Sequence, residues 1–299
     1  LALLIFLFRK TDFKALFEVI RHSDGPKMSL AFVIFVFLNI LVLLRWHFLL
    51  KGLDIHVALP RLFLSYLSSL FFNLVLPSTL GGDTIRTLDI ADHTKRHSSG
   101  ILATVILDRL SGFFGLITIL VFSLIFGFRV LKDSSILIVT FLLLAIMLFL
   151  SGIMFSRVFF HGVFKFLPFK KLKDYLYRIH ESTSSYKNKI PILITVWTLS
   201  IIIQGGLSFM YYFVAQALDV HLNLIYFLIL VPMITAFCVI PISIGGLGVR
   251  DTASIVLFGK VGLMAEKAFA LSLSNFGFML VLGLLGGISY VSILYRRRL

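Results

Sequence analysis

The sequence predicts an all-α polytopic membrane protein with about six to eight transmembrane helices and two re-entrant helical hairpins related as an inverted repeat. Three observations predict this class: an apolar composition, a series of long hydrophobic runs, and a duplicated motif. Of the 299 residues, 59% are hydrophobic and only 14% are charged, and the mean hydropathy is +1.02. A soluble domain of this composition would lack the polar residues needed to cover its surface. We therefore expect residues 1–299 to form a single integral membrane domain.

Five apolar runs are long enough to cross a bilayer, which requires about 20 residues in a helix. They cover residues 28–46, 99–128, 135–156, 191–217 and 268–295. Two further apolar runs, 59–76 and 223–240, each lead directly into a copy of the duplicated motif. The hydrophobicity of these two runs leaves open whether they are complete spans or halves of re-entrant hairpins.

The distribution of positive charge favours the re-entrant topology. If both motif segments return to the face they entered, the loops 45–61, 83–98 and 157–189 and the C-terminal tail share one side and hold 17 of the 28 Lys and Arg residues, against 10 on the opposite side. Basic residues concentrate on the cytoplasmic side, so we expect the basic linker at about 157–189 and the C-terminus to be cytoplasmic. Three complete spans then separate the motifs, and the two hairpins enter from opposite faces.

The net charge of +14 is explained by basic loops at an anionic lipid surface, so we expect no nucleic-acid partner. His93 and His97 have the i, i+4 spacing of metal ligands, but they lie in a basic, loop-like stretch without a known zinc motif. We therefore expect no metal and no cofactor.

A ten-residue motif occurs twice, as PSTLGGDTIR at 77–86 and as PISIGGLGVR at 241–250. The motif divides the chain into a first half, about 28–128, and a second half, about 190–295. A proline, a glycine pair and an arginine coincide in the two copies: Pro77, Gly81, Gly82 and Arg86 in the first, and Pro241, Gly245, Gly246 and Arg250 in the second. Matching Gly and Pro interruptions in two halves of a membrane protein indicate a transport-type binding site.

The residue types in this motif indicate an anion site. The proline ends an apolar helix, the glycine pair permits a turn, and the arginine follows about one helical turn later. Free N–H groups at the start of the next half-helix and a nearby guanidinium group together bind phosphate. We predict that Arg86 and Arg250 bind a headgroup phosphate, with the glycines lining the site and the prolines shaping it. The alternative interpretation is that Pro and Gly only shape a loop and that both arginines lie at the membrane interface.

Asp108 and Arg109 lie about ten residues into an apolar run, where ionisable groups require a partner or a watery cavity. In one interpretation, Asp108 balances Arg86 or Arg250 across a cavity and Arg109 helps to hold the phosphate. In the other, Asp108 and Arg109 snorkel or form structural pairs near a helix end.

Two further carboxylates, Asp83 and Asp251, accompany the motifs without occupying matching positions. They are expected to pair with the nearby arginines or to cap helices. Either could bind a cationic headgroup only if it is exposed.

The segments NLVLPSTLGGDTIR, LDRLSGFFGL and PISIGGLGVRD, taken in this order, resemble the transmembrane region of lysylphosphatidylglycerol synthase, also called the flippase-like domain family. The resemblance spans nearly the whole chain. It implies a polytopic helical fold with re-entrant segments, residence in a cytoplasmic membrane, and a role in moving or handling lipid headgroups. Larger members of the family append a cytosolic domain that transfers lysine from tRNA to phosphatidylglycerol. The chain stops at Leu299, so we do not expect that activity here.

Three functional hypotheses follow. The leading one is a transporter that translocates or handles an anionic phospholipid or a polyprenyl-phosphate-linked headgroup. The second is a membrane glycosyltransferase with a polyprenyl-phosphate sugar donor, in which Asp83 or Asp108 supplies the acid. The third is a non-catalytic partner of a membrane complex. The first is favoured over an enzyme, and assembly into a homo-oligomer is left open.

Overall fold

A computed structural model describes residue 18 and residues 21–76, 80–95, 98–127, 134–164, 170–238 and 246–298. Over these ranges the chain is helical and has no β-strand. Eleven α-helices lie in the described ranges: α1 (Gly25–Gly52), α2 (Leu59–Val75), α3 (Leu80–Thr94), α4 (Ser98–Gly127), α5 (Ser134–Phe155), α6 (Arg157–Phe164), α7 (Lys170–Ser184), α8 (Ile190–Ala217), α9 (Leu224–Cys238), α10 (Val249–Gly259) and α11 (Ala265–Arg298).

Four helical segments are long and apolar enough to cross a membrane. They are α1, α8, residues Ser98–Phe126 of α4 and residues Ala265–Val291 of α11. Shorter apolar segments are α2, α9 and the stretch Ile138–Leu150 of α5. The predicted all-α, polytopic membrane class is therefore confirmed.

One predicted boundary is wrong, and the error bears on the site. The first clear run was expected to end at Trp46, but α1 continues to Gly52, so Arg45 lies inside the helix and is buried rather than starting a loop. Arg86 and Arg250 are likewise buried in helices and are not loop charges. Two of these three arginines, Arg45 and Arg86, belong to the side of the membrane predicted to be cytoplasmic. Without them, that side still has more Lys and Arg residues than the opposite side.

The helices follow the same order twice: a long helix, two short helices and a long helix. This order describes α1–α4 and again α8–α11, and each later element begins 165 to 169 residues after its counterpart. The helices that carry the motif arginines are short, with 15 residues in α3 and 11 in α10. At 1.5 Å per residue they extend roughly 22 Å and 16 Å, less than the ~30 Å hydrocarbon thickness.

The contacts between the two series are reciprocal. Helix α2 packs against α11, the last helix of the other series, and α9 packs in the same way against α4. The first helices of the two series, α1 and α8, pack against each other along their lengths.

Contacts at both ends of this pair show that α1 and α8 are antiparallel. At the start of α1, the Asp24 N–H donates to the Ala217 carbonyl at the end of α8, with an N···O distance of 2.8 Å. At the other end, the Lys189 ammonium group before α8 donates to the Gly52 carbonyl. Since both helices have 28 residues, they lie side by side in opposite directions.

The two largest apolar cores among the described residues join most of the helices. The larger core joins α1, α4, α8, α9, α10 and α11 and includes Phe227 and Phe258. The smaller core joins α1–α4 around Trp46, Leu62 and Ile101.

Glycines allow the closest helix contacts. A Cβ atom added at Gly286 of α11 would lie 1.9 Å from the Leu67 carbonyl oxygen of α2. A Cβ atom at Gly115 of α4 would lie 2.5 Å from the Ser200 carbonyl oxygen of α8. The α2–α11 and α4–α8 contacts therefore depend on small residues, as in other packed membrane helices.

We expect Gly286→Ala to lower the apparent Tm of the detergent-purified protein by several degrees, because its methyl group must displace the α2 backbone at a cost of about 1–3 kcal/mol. The matched control is Gly277→Ala in the same helix, where a Cβ atom meets nothing within 4 Å. The control should leave the Tm unchanged or slightly raised, since alanine favours helix. Equal Tm values for the two variants would contradict the described α2–α11 contact.

Candidate functional site

Five charged side chains form a continuous network where α1, α3 and α4 meet. Arg45 comes from α1, Asp83 and Arg86 from α3, and Asp108 and Arg109 from α4. The helices bring together residues that are up to 64 positions apart in the sequence. Four of the five are buried, with between 2% and 6% of each residue exposed.

Asp108 lies between two guanidinium groups. Its Oδ1 accepts from Arg45 Nε at 2.7 Å, and its Oδ2 accepts from Arg86 Nη2 at 3.2 Å. Arg45 also donates through Nη1 to the Ser200 hydroxyl of α8 at 3.0 Å. Asp108 thereby links α1, α3 and α4, and Arg45 extends the link to α8.

Asp83 continues the network towards the surface. Its Oδ1 lies 2.9 Å from Arg86 Nη2, and its Oδ2 accepts from Arg109 Nε at 2.8 Å. The Arg109 side chain is 44% exposed, whereas that of Asp83 is 8% exposed. All four carboxylate oxygens of Asp83 and Asp108 therefore contact arginine nitrogens.

Aromatic and small residues support the two buried arginines. The Arg86 guanidinium carbon lies 4.6 Å from the centre of the Trp46 ring, and the Trp46 indole N–H donates to the Thr104 hydroxyl at 3.0 Å. A Cβ atom at Gly112 would lie 3.2 Å from Arg45 Nη1. The ring adds a cation–π contact, and the glycine leaves room for the guanidinium group.

Arg250 has different surroundings. Its Nε donates to the Ser272 hydroxyl at 3.2 Å and its Nη1 to the Met279 sulfur at 3.2 Å, while its guanidinium carbon lies 5.8 Å from the centre of the Phe276 ring. In the part of the chain that the structure describes, Nη2 has no hydrogen-bond partner and no carboxylate forms an ion pair with Arg250. A buried N–H without a partner costs about 1–3 kcal/mol.

Asp251 stabilises the start of α10 rather than pairing with Arg250. Its Oδ2 accepts from the Gly248 N–H at 2.8 Å, and its Oδ1 accepts from the Ser272 hydroxyl at 2.5 Å. Gly248 precedes α10 with φ +83°, a left-handed conformation that favours glycine. The two carboxylates were expected to pair with arginines or to cap helices. Asp83 has the first of these roles and Asp251 has the second.

The two motif arginines contact equivalent positions on the helix that follows. Arg86 donates to Asp108, 22 residues later, and Arg250 donates to Ser272, also 22 residues later. Asp108 and Ser272 are themselves separated by 164 residues, the offset of the duplicated motif. At this position, the first copy of the duplicated site thus has a carboxylate of the protein itself, and the second copy has a serine hydroxyl.

The first glycine pair does not form the expected turn. Gly81 and Gly82 lie in the first turn of α3, where a Cβ atom at Gly82 would be 2.1 Å from the Ser69 carbonyl oxygen. The Gly82 N–H donates to the Asn73 side-chain oxygen at 3.1 Å and so already has an acceptor. This pair serves the close packing of α2 on α3. Gly246 lies in a turn with φ +82°, as expected of a motif glycine.

Some predicted residues lie outside the described ranges. These are Pro77, Pro241, Gly245 and His97. Among the residues that are described, no group of three or more His, Cys, Asp or Glu side chains could hold a metal ion.

The structure contains one part of each interpretation of the intramembrane pair. Asp108 balances Arg86, one of the two partners considered, while Arg109 pairs with Asp83. Sequence reasoning missed Arg45 and Ser272. Arg45 carried a detectable signal, because the apolar run resumes with Phe48, Leu49 and Leu50 after it. Ser272 could have been found by extending the 164-residue alignment beyond the motif to Asp108.

We expect Asp108→Asn to destabilise the protein strongly, because it leaves Arg45 and Arg86 buried with one compensating carboxylate fewer. Breaking a buried ion pair in this way costs about 3–5 kcal/mol, and the yield of monodisperse protein should fall accordingly. Asp24→Asn is the control, since it removes an exposed ion pair with Lys27 and keeps a residue type that caps helices. If size-exclusion profiles and Tm are as little affected by Asp108→Asn as by the control, the network is not the structural link described.

Comparison with known proteins identifies the chain at the level of a family. The family model described as the lysylphosphatidylglycerol synthase transmembrane region matches residues 1–287. Neither the curated proteins nor the solved structures give a significant match. The family match covers all eleven helices except the end of α11, and it includes both copies of the duplicated motif. The chain is a multi-pass membrane protein that belongs to the family of lysylphosphatidylglycerol synthase transmembrane regions.

Proposed function

We propose that this protein translocates a lipid headgroup that carries phosphate, with the motif arginines at the centre of its path. Membership of a flippase-like family supports lipid handling in general terms. The lipid is an anionic phospholipid or a polyprenyl phosphate, both of which present phosphate oxygens to a guanidinium group.

One observation carries the proposal: Arg86 and Arg250 occupy equivalent motif positions, and both are buried in a helical membrane protein. Arg86 is 3% exposed and Arg250 is 5% exposed. Buried arginines in membrane proteins are energetically costly and are typical of substrate or ion pathways. A structural ion pair accounts for Arg86, but no ion pair among the described residues accounts for Arg250.

The two series of helices supply a means of exposing the headgroup to each face in turn. We propose that α1–α4 and α8–α11 are the halves of an inverted repeat and that the motif segments are re-entrant. The antiparallel contact of α1 with α8 and the short lengths of α3 and α10 support this proposal. In such repeats, rocking of one half against the other opens a central site alternately to the two faces.

We further propose a cytoplasmic membrane location with the C-terminus in the cytoplasm, which the positive-inside rule supports. The linker that contains α6 and α7 is basic, with eight Lys and Arg residues at 157–189. It would lie against anionic lipid on that side.

The glycosyltransferase hypothesis has less support from the geometry. A general acid must reach the substrate with a free oxygen. Asp83 and Asp108 each use both oxygens to contact arginines. Either residue would have to leave an arginine before acting as an acid.

The test is leaflet exchange of headgroup-labelled phospholipids and polyprenyl phosphates in proteoliposomes. Arg250→Gln should slow exchange at least tenfold while the protein remains folded, because the variant loses the charge without orphaning a paired carboxylate. Arg86→Ala should also reduce exchange, but it leaves Asp83 and Asp108 without a shared partner and should lower the folded yield. Arg178→Gln, at an exposed position of α7, is the control and should exchange at the native rate.

Native-rate exchange by folded Arg250→Gln would refute the proposed role of Arg250. Absence of exchange for every lipid tested with the native chain would refute translocation itself. Folding of each variant is checked by size-exclusion chromatography and thermal unfolding before reconstitution.

A further inference from the structure

The second copy of the duplicated site lacks the negative partner that the first copy contains. At Arg86, the following long helix supplies Asp108, and α3 itself supplies Asp83. At Arg250, the corresponding positions hold Ser272 and Leu247. The guanidinium group is retained in both copies, but its counter-ion is present in only one.

Among the described residues, α10 and α11 carry several buried polar atoms without hydrogen-bond partners, whereas the network of the first copy leaves Arg86 Nε without one. Arg250 Nη2 and the Ser254 hydroxyl are buried without hydrogen-bond partners, and so is the side-chain oxygen of Asn275. Ser254 lies one helical turn after Arg250 on α10, and Asn275 lies one turn after Ser272 on α11, so that both share a helix face with a residue of the site. Buried polar atoms normally have partners. Arg250 Nη2 and the Ser254 hydroxyl can both donate to an anion, whereas the Asn275 oxygen only accepts and does not contribute to such a site.

Asp251 cannot take the role of Asp108. Its two oxygens already accept from the Gly248 N–H and the Ser272 hydroxyl. It therefore fixes the start of α10 and the Ser272 side chain, and it does not provide a hydrogen-bond partner for Arg250 Nη2.

We infer that the headgroup phosphate binds at Arg250 in the place that Asp108 occupies at Arg86. Arg250 Nη2 and the Ser254 hydroxyl donate to phosphate oxygens, while Ser272 holds the guanidinium group through Nε. The first copy is a permanently occupied ion-pair site, because a phosphate there would face two carboxylates. The two copies thus differ in role: one links the helices and the other binds the anion. This inference deepens the proposed function, on which the choice of a lipid phosphate rests.

The test measures ligand binding by thermal unfolding of the full chain in non-ionic detergent. The probes are short-chain phosphatidic acid, the matching diacylglycerol without phosphate, and inorganic phosphate. Phosphatidic acid should raise the apparent Tm in a saturable manner, because a ligand that binds only the folded state stabilises it. Diacylglycerol should not. A saturable shift with inorganic phosphate at similar concentrations would retain the anion site but assign it to free phosphate rather than to a lipid.

Two substitutions test the residues. Ser272→Asp supplies the missing carboxylate and should weaken phosphatidic acid binding at least tenfold relative to Ser272→Asn, which has the size of the aspartate variant but no charge. Ser254→Ala should weaken binding severalfold without lowering the Tm of the ligand-free protein, because its hydroxyl has no partner among the described residues to lose. If Ser254 had only a structural role, its replacement would instead lower the Tm of the ligand-free protein.

Native affinity in both Ser272→Asp and Ser254→Ala would overturn the inference, as would equal shifts with phosphatidic acid and diacylglycerol. If Ser272→Asp does not fold, Ser254→Ala decides alone. Binding is measured separately from leaflet exchange. Phosphate-dependent binding without leaflet exchange would support the anion site and refute translocation. Leaflet exchange without phosphate-dependent binding would refute the anion site and leave the proposed translocation standing.

Discussion

The buried carboxylate of Asp108 is the constraint on which the arrangement of the first four helices depends. It holds Arg45 and Arg86 at 2.7 Å and 3.2 Å, and through them it fixes α1 and α3 against α4. Separating a buried guanidinium group from its carboxylate is costly, so the network restricts how these helices can move apart. Because Arg45 also reaches Ser200, the same restriction extends to α8 and hence to the other series of helices.

Much of the fold could be predicted from the sequence because membrane helices obey strong, local rules. Apolar runs located seven helices to within three residues, except at the end of α1, since every backbone polar group in lipid must be satisfied within a helix. These are α1, α2, α4, α5, α8, α9 and α11. The end of α1 could not be predicted from hydropathy, because a charged residue such as Arg45 indicates a loop unless its buried partner is known. That partner, Asp108, is 63 residues away in the sequence.

The candidate site was predicted only in part, and the reason lies in packing. The duplicated motif identified Arg86 and Arg250, but it gave no information on which of them is neutralised. Gly82 looked like a turn residue and is instead a helix-contact residue, because the carbonyl of Ser69 approaches it. The difference between the two copies arises from Asp108 and Ser272, which lie outside the motif and meet the arginines only in three dimensions.

In the proposed translocation, one copy of the duplicated site binds the headgroup phosphate and the other does not. Cryo-electron microscopy of the protein in nanodiscs that contain phosphatidylglycerol or a polyprenyl phosphate tests it most directly. We expect a phosphate within hydrogen-bond distance of Arg250 Nη2 and the Ser254 hydroxyl, with Arg86 still paired to Asp83 and Asp108. A phosphate bound to Arg86 with Arg250 unoccupied, or lipid phosphates found only at the helix ends, would contradict it.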